Sequence, residues 1–320
     1  MMGSTNGTRT RLQTQKTLKN AIHCSGVGLH SGVKIGMTLH PAAPDSGIVF
    51  RRSDLAGAPE IRAVWENAVE TPLCTSLGRD DEVLVGSIEH LMSALAGCGV
   101  DNVIAELNGP EVPVMDGSAA PFVFLMECAG TRAQDAPRRA LEIRKPVSIG
   151  DPQRNIVLAP GPGFGIEFEI DFDKSAVSRQ RWSLQMAQDS YKREVARART
   201  FGFLDEVDKL REMGLARGGS LDNAVVIGDE RILNDGGLRY DNEFVRHKVL
   251  DLIGDLYLAG APIIGQVKAM RSGHSMTVRL LRALFADREA WSWCEMPAMD
   301  DGAMQGASTP PRRAVAIPAA

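Results

Sequence analysis

A weak internal repeat constrains the fold of this chain more than any other feature of its sequence. Leu-His-Pro at 39–41 leads into the apolar run 47–50, and Leu-Ala-Pro at 158–160 leads into a similar run at 165–168. A pattern that recurs along a chain is typical of similar structural units built side by side. The repeat therefore predicts two similar halves, each with a strand at its apolar run.

Each half also contains a helical pattern that carries a histidine and is followed by an apolar strand pattern. The first helix, 87–96, carries His90, and the second, 243–259, carries His247. The strands that follow are predicted at 102–107 and 263–269. Short strands mixed with helices of this length predict the α+β class.

The second half contains additional chain, because the two histidines lie farther apart than the two prolines of the repeat. An insert at 204–240 accounts for the difference. Within it, the charged stretch 205–211 predicts a solvated helix, and 224–228 predicts a strand and a turn. The polar stretch 132–139, which contains a proline, is the expected boundary between the halves.

The domain limits follow from these landmarks and from the composition of the two ends. The C-terminal end is dense in Ala, Pro and Met and has little periodicity, which is typical of a flexible tail. The predicted segments are a flexible N-terminal tail at 1–14, an N-terminal α+β domain at 15–133, a C-terminal α+β domain at 134–285 and a flexible C-terminal tail at 286–320.

Charge and cysteine content exclude several classes of protein. The net charge of -4 gives no sequence-wide attraction to nucleic acid or to anionic lipid. The five cysteines are far apart and include no Cys-x-x-Cys pair, which excludes a disulfide framework and a thiolate zinc knuckle. No signal peptide and no run of about 18 apolar residues is found. We expect a cytoplasmic protein with no nucleic-acid partner and no stable membrane insertion.

The strongest local motif for chemistry is a polar stripe on the second helix. His247, Asp251 and Asp255 stand at i, i+4 and i+8, which places them on one helical face. Two side chains at i, i+4 can converge on one metal ion at about 2.0 to 2.2 Å. The same spacing is typical of a surface ion pair, so this motif alone leaves both interpretations open.

A second motif, Ser87-Ile88-Glu89-His90, opens the first helix. Ser87 is a suitable N-cap. His90 could ligate a metal while Glu89 points beside it toward a bound water, whose proton it could take. A Glu-His pair at a helix start is also typical of an ordinary surface position.

A third motif is a polar turn, 271–274, that follows the last predicted strand. Its His274 could protonate a leaving group or stabilise an oxyanion, with Asp255 as the carboxylate that orients it. An ordinary loop histidine is the alternative. His30, in a glycine-flanked turn, and the 116–118 segment are interpreted as structural turns.

Taken in order, these motifs resemble one family, the zinc-dependent UDP-3-O-acyl-N-acetylglucosamine deacetylases, which catalyse the committed step of lipid A synthesis. The resemblance covers about 15–287. The motifs that carry it are Gly-Val-Gly-Leu-His-Ser-Gly at 26–32, Glu-His-Leu at 89–91, Pro-Val-Met-Asp-Gly-Ser-Ala at 113–119, Arg-Thr-Phe-Gly-Phe at 199–203, His-Lys-Val-Leu-Asp at 247–251 and Ser-Gly-His at 272–274.

The resemblance implies a metal centre and the two groups that transfer protons. His90, His247 and Asp251 would be the ligands of Zn²⁺, with Fe²⁺ as an alternative ion. Glu89 would be the general base, and His274 would be the protonated partner of the tetrahedral intermediate.

Further roles are implied for residues that spacing alone does not identify. Thr200 would help to hold the oxyanion, and Lys248 would contact the substrate near the reacting amide. Phe201 would pack against the glucosamine ring, with Phe203 as a further substrate contact. Cys74 would line the mouth of the site, although composition alone describes it equally well as a small buried hydrophobe.

The resemblance also implies the architecture and the substrate. Two similar α/β-sandwich domains would pack face to face with the active site between them, and a βαβ insert in the second would form an apolar passage for an acyl chain. The substrate would be UDP-3-O-acyl-N-acetylglucosamine, hydrolysed to acetate and a free amine. The sequence leaves the oligomeric state open, and a monomer is the default expectation.

Two other classes remain as alternatives. A non-enzymatic protein that binds a nucleotide sugar or a lipid around a structural zinc fits poorly, because structural zinc usually has four protein ligands. A metallopeptidase lacks its usual His-Glu-x-x-His motif.

Overall fold

The computed structural model describes residues 12–71, 73–79, 82–172 and 177–297. Its helices are α1 (Glu89–Cys98), α2 (Ala120–Ala129), α3 (Gln188–Glu194), α4 (Leu204–Glu212), α5 (Glu243–Leu256) and α6 (His274–Ala286). Its strands are β1 (Thr14–Leu18), β2 (Ile22–Val27), β3 (Lys34–Pro41), β4 (Ile48–Arg52), β5 (Glu60–Arg62), β6 (Ala68–Val69), β7 (Ser76–Arg79), β8 (Glu82–Val85), β9 (Val103–Leu107), β10 (Thr131–Pro137), β11 (Arg139–Ile143), β12 (Val147–Gly150), β13 (Asn155–Ala159), β14 (Phe164–Asp171), β15 (Arg179–Gln185), β16 (Phe201–Phe203), β17 (Val225–Ile227), β18 (Ile263–Met270) and β19 (Trp291–Glu295).

Two sheets with the same topology form the outer layers of the molecule. The N-terminal sheet has the order β2-β3-β9-β4-β5, with β9 parallel to β4 and the other neighbours antiparallel. The C-terminal sheet repeats this as β12-β13-β18-β14-β15, with β18 parallel to β14. The predicted pair of similar halves is therefore confirmed by both strand order and strand direction.

The central strand of each sheet buries one face. In β9 the side chains of Val103, Ala105 and Leu107 are fully buried, and in β18 those of Ile263 and Val267 are. Alternate residues of a strand point to the same face of a sheet. Burying a side chain such as valine or leucine contributes about 1.5 to 3 kcal/mol. This face is the one that receives the helices of each half.

The two halves meet through their helices, which gives four layers in the order sheet, helices, helices, sheet. In each half one helix precedes the central strand, α1 before β9 and α5 before β18, and these two helices pack against each other. At the crossing, a Cβ on Gly254 would overlap the backbone oxygen of Glu89. The glycine therefore allows α1 and α5 to approach closely, and the α+β fold with two sandwiches face to face is confirmed.

The insert of the second half is a βαβ unit. Strands β16 and β17 pair in parallel, and α4 connects them. The helix predicted at 205–211 and the strand predicted at 224–228 are both confirmed, but the unit begins at Phe201, three residues before the predicted limit.

The prediction of a tail from residue 286 onward is wrong for its first part. Strand β19 pairs antiparallel with β11, and the backbone N–H of Gln13 donates to the carbonyl of Met296 at 2.9 Å. The alternation Trp-Ser-Trp-Cys-Glu is a strand pattern that the surrounding alanines and prolines obscure. The predicted N-terminal tail is likewise wrong at its end, because Leu12 forms a β-bridge with Pro297 and β1 begins at Thr14. Residues 1–11 and 298–320 lie outside the described residues.

The chain passes from one half to the other next to Arg138. Strand β10 is still paired with β1 of the N-terminal half, whereas β11 belongs to the C-terminal sheet. Among the described residues, no helix is both long enough and apolar enough to cross a bilayer.

Candidate active site and metal centre

Three buried side chains from the two central helices converge where the halves meet. His90 lies in the first turn of α1, and His247 and Asp251 lie one turn apart on α5. The Asp251 Oδ1 atom lies 3.6 Å from His90 Nε2 and 3.3 Å from His247 Nε2. Their ligand atoms all lie within 4.8 Å of one another, which is the geometry of a metal site.

The chemistry of these three donors fits a divalent metal ion. Asp251 Oδ1 is buried and has no hydrogen-bond partner, although buried oxygen atoms are normally paired. His247 Nδ1 lies 3.1 Å from the carbonyl of Ala198, so an Nδ1–H donates there and leaves the Nε2 lone pair toward Asp251. Burial lowers the pKa of His247 to about 3, which keeps the imidazole neutral. Two imidazoles and one carboxylate are ligands that zinc accepts.

The second carboxylate oxygen of Asp251 is held by a lysine. Lys248 Nζ donates to Asp251 Oδ2 at 2.8 Å. Burial opposes the charge of the aspartate, but neighbouring cationic groups, Lys248 and His274 among them, outweigh it and hold the pKa of Asp251 well below its usual value. Lys248 also lines the cavity described below, so its ammonium group faces both the metal ligand and any bound molecule.

Glu89 is buried beside His90, and a backbone N–H group orients its side chain. Its Oε2 accepts a hydrogen bond from the backbone N–H of Thr75 at 3.0 Å. Burial raises the pKa of the Glu89 carboxyl group, as expected for a base poised to accept a proton.

The start of α1 differs from its prediction. Ser87 is not the N-cap: Ile88 takes that position, and the helix has no side-chain cap. The Ser87 backbone adopts a φ of 54°, and its hydroxyl donates instead to Glu111 Oε2 at 2.9 Å. This turn delivers Glu89 and His90 into the site in the first helical turn.

His274 begins α6 and is paired with the third member of the α5 stripe. His274 Nδ1 donates to Asp255 Oδ2 at 2.9 Å, and its Nε2 lies 3.8 Å from Asp251 Oδ2. Burial opposes the protonated imidazole, but the Asp255 carboxylate outweighs it and raises the pKa of His274 to about 10. The pair therefore holds a protonated imidazole with Nε2 toward the metal ligands.

Thr75 is a functional candidate that the sequence analysis missed. Its hydroxyl donates to Asp255 Oδ1 at 2.5 Å and lies 3.0 Å from His274 Nδ1. Its backbone N–H donates to Glu89, so one buried residue contacts both candidate proton-transfer groups. The contacts to Asp255 and His274 span 180 and 199 residues, and no local pattern signals contacts at such separations.

Thr200, Phe201 and Phe203 lie at the start of the insert. The N–H of Thr200 donates to the carbonyl of Gly117 at 2.7 Å, across the boundary between the halves. Gly117 belongs to the turn predicted at 116–118, and the side-chain bonds within that turn are present. The Phe201 ring centroid lies 6.2 Å from that of His247.

A cavity of about 1250 Å³ connects these groups. Its wall includes every predicted site residue except Cys74 and Asp255, and apolar residues of the insert form much of the remainder. Asp255 lies behind His274. Cys74 is buried with its thiol beside Thr71 and Ser76, and it does not belong to the cavity wall.

The cavity wall also contains guanidinium groups that the sequence analysis did not single out. Arg154 precedes β13 and Arg271 follows β18, and these two strand ends are neighbours because Asn155 pairs with Met270. Arg271 forms an ion pair with Asp171. Two cations on one wall are suited to a diphosphate group.

Comparisons with known proteins identify the family of this chain. Residues 15–286 match the model of the LpxC family, described as UDP-3-O-acyl N-acetylglycosamine deacetylase. A UDP-3-O-acyl-N-acetylglucosamine deacetylase of Acidithiobacillus ferrooxidans is 53% identical over 283 residues, which are 88% of this chain and 93% of the relative. Relatives of the same description come from Myxococcus xanthus (51% identical over 85% of this chain and 87% of the relative) and Vibrio parahaemolyticus (48% identical over 87% and 92%). The chain belongs to the UDP-3-O-acyl-N-acetylglucosamine deacetylase family.

Proposed function

We propose that this chain is a zinc-dependent hydrolase that removes the acetyl group from the 2-acetamido nitrogen of UDP-3-O-acyl-N-acetylglucosamine, a step of lipid A biosynthesis. The observation that carries the proposal is the convergence of His90, His247 and Asp251 beside one buried carboxylate and one buried imidazole. The names of the relatives supply the substrate.

The three proposed ligands leave room for one more group on the ion. Zinc held by three protein ligands polarises a carbonyl oxygen and lowers the pKa of a water molecule to about 7. Lys248 and the carbonyl of Ala198 would hold Asp251 and His247 in their ligating orientation, since each binds the ligand through its other polar atom.

Glu89 would take a proton from the attacking water. Glu89 directly precedes His90 in the sequence, and the N–H of Thr75 holds its Oε2 atom in place. Burial raises the pKa of Glu89, which favours a group that must accept a proton and then release it.

His274 would supply the proton that the departing amine needs. Its Nδ1 is occupied by Asp255, so Nε2 is the nitrogen that faces the site. Before that transfer, the same N–H would donate to the oxyanion of the tetrahedral intermediate, together with the hydroxyl of Thr200. The ammonium of Lys248 would bind the substrate near the reacting amide. Single donors of this kind typically contribute about 10² to 10³ in rate.

The remaining parts of the cavity suit the other parts of the substrate. Phe201 would pack against the sugar ring, with Phe203 beside it, and the apolar residues of the insert would enclose the acyl chain. Arg154 and Arg271 would bind the diphosphate. The cytoplasmic location and the monomeric state expected from the sequence remain predictions.

The test is release of acetate from UDP-3-O-acyl-N-acetylglucosamine by the purified chain. We expect activity that disappears when the metal is stripped and returns with zinc, and that falls about 10² to 10⁴ fold in Glu89→Ala. Glu127→Ala, a change at an exposed glutamate, is the matched control and should retain full activity. A folded, zinc-loaded protein that releases no acetate would refute the proposal.

A further inference from the structure

Glu111 is a buried carboxylate that takes no part in the proposed chemistry and does not lie on the cavity wall. Glu111 is 4% exposed. The three residues that follow it, 112–114, do line the cavity. Its own backbone forms an isolated β-bridge with Gly86, immediately before the turn that opens α1. A buried carboxylate is costly unless it is fully hydrogen-bonded, so its partners indicate its purpose.

Three of its hydrogen bonds go to one turn, which we define as the 28–32 turn. Glu111 Oε1 accepts from the N–H of Ser31 at 2.7 Å and from its hydroxyl at 2.5 Å. Oε2 accepts from the N–H of His30 at 3.2 Å. The fit is tight, because a Cβ on Gly28 would overlap the carboxylate. Glu111 therefore fixes the conformation of this turn.

The 28–32 turn in turn holds the insert. The N–H of Arg217 donates to the carbonyl of His30 at 3.2 Å, and the N–H of Gly218 donates to the carbonyl of Leu29 at 3.0 Å. The N–H of Ala216 donates to His30 Nδ1 at 3.4 Å. Leu29, His30 and Ala216 line the cavity, so these bonds join its wall across the boundary between the N-terminal half and the insert.

The fourth hydrogen bond of Glu111 goes to the turn that opens α1. The hydroxyl of Ser87 donates to Oε2 at 2.9 Å, two residues before Glu89. One carboxylate thus ties the start of α1 to the turn that carries the insert.

We propose that Glu111 is a positioning residue that sets the shape of the acyl end of the cavity by holding the insert against the 28–32 turn, and so determines how strongly a long acyl chain is preferred. The proposal rests on the proposed deacetylase function for its substrate. Its structural part, the coupling of Glu111 to the insert loop at 216–218, stands on the hydrogen bonds alone.

Glutamine is the informative replacement, because it has the same shape but only one acceptor oxygen. Each oxygen of Glu111 accepts from a backbone N–H, one of Ser31 and one of His30. Whichever way the amide is turned, its NH₂ group must face a backbone donor. A buried donor left without an acceptor is costly, so Glu111→Gln should loosen the 28–32 turn without removing volume.

The first experiment is hydrogen exchange on the full-length chain, which needs no activity. In Glu111→Gln we expect the amides of Ala216, Arg217 and Gly218 to exchange at least about tenfold faster than in the wild type. Ser87→Ala removes only the bond to α1 and should leave these amides protected. Unchanged exchange at 216–218 in folded Glu111→Gln would overturn the coupling.

The second experiment compares kcat/KM for UDP-N-acetylglucosamine carrying a long or a short 3-O-acyl chain. The long-to-short ratio should fall at least about fivefold in Glu111→Gln, mainly through KM, and stay unchanged in Ser87→Ala. Ser31→Ala loses one bond to Glu111 and one from the N–H of Val33. It should shift the exchange rates and the long-to-short ratio in the same direction by less, and it replaces Glu111→Gln if that variant does not fold. An unchanged ratio despite faster exchange would overturn the selectivity role. An inactive wild type would refute the proposed function, while exchange would still decide the coupling.

Discussion

Because α1 and α5 cross closely at Gly254, adding one methyl group there tests how strongly the site depends on the packing of the two helices. In Gly254→Ala the new Cβ would overlap the backbone oxygen of Glu89, lie 2.9 Å from its carbonyl carbon and lie 3.0 Å from the backbone nitrogen of Ser93. Ordinary contacts begin near 3.4 Å. Backbone atoms cannot rotate away, so the two helices must separate by roughly 1 Å to restore ordinary packing.

Two opposing effects decide the sign of the stability change. Alanine is favoured over glycine inside a helix by about 1 kcal/mol. Overpacking a tight interior typically costs about 1 to 3 kcal/mol, and a clash with backbone belongs at the upper end. We expect a net loss of about 1 to 2 kcal/mol in the free energy of unfolding, measured by urea denaturation.

The effect on activity should be larger than the effect on stability. Glu89 and His90 lie on α1, while His247 and Asp251 lie on α5. Separation of the helices would therefore displace the proposed base and one proposed ligand from the other two proposed ligands. A misplacement of about 1 Å can cost about 10² in rate. Gly236→Ala, where a Cβ would contact nothing within 4 Å, is the control and should change neither quantity. A Gly254→Ala variant as stable and active as the wild type would refute the close-packing argument.

Three further predictions concern other parts of the structure. Thr75→Val removes the hydroxyl that binds Asp255 but keeps the N–H that binds Glu89, so kcat should fall about tenfold with little change in KM. Thr75→Ser should restore most of the lost kcat. Equal steady-state activity of the wild type, Thr75→Val and Thr75→Ser would contradict a role for the hydroxyl. His90→Ala should weaken zinc binding by about 100-fold or more in a chelator competition, and retention of wild-type affinity would exclude His90 as a ligand. Burial opposes the charge of Glu243, but its bonds to Arg199 outweigh burial and lower its pKa below the usual 4.5. That stabilisation should be present above about pH 4.5 and be lost as the pH falls through the lower folded pKa, so the difference in unfolding free energy between wild type and Glu243→Gln should shrink on acidification; a difference independent of pH would contradict it.

The parts of the site that were predictable from the sequence are those encoded within one helix. His247, Asp251 and Asp255 form a stripe because helical periodicity alone aligns them, and Glu89 beside His90 is a local motif. The repeat likewise predicted the two halves, since each half carries its own strand and helix patterns.

The parts that escaped prediction depend on contacts between distant segments. Thr75 and Glu111 act through side chains far away in the sequence, and neither stands in a recognisable motif. Ser87 matched the N-cap pattern, but the buried carboxylate of Glu111 binds its hydroxyl instead. Burial also decided the orientation of Cys74, whose thiol faces Thr71 and Ser76.

The distribution of the site over two similar halves has a consequence for how the enzyme is inactivated. The proposed general base and one proposed ligand belong to the N-terminal sandwich, whereas the other two proposed ligands and the His274 imidazole belong to the C-terminal one, and each sandwich has its own sheet. Sub-global opening that parts the helix layers can therefore abolish turnover while both sheets keep their backbone hydrogen bonds. Activity should be lost at lower denaturant concentration than the circular dichroism of the sheets, which would make turnover the most sensitive reporter of docking between the two sandwiches.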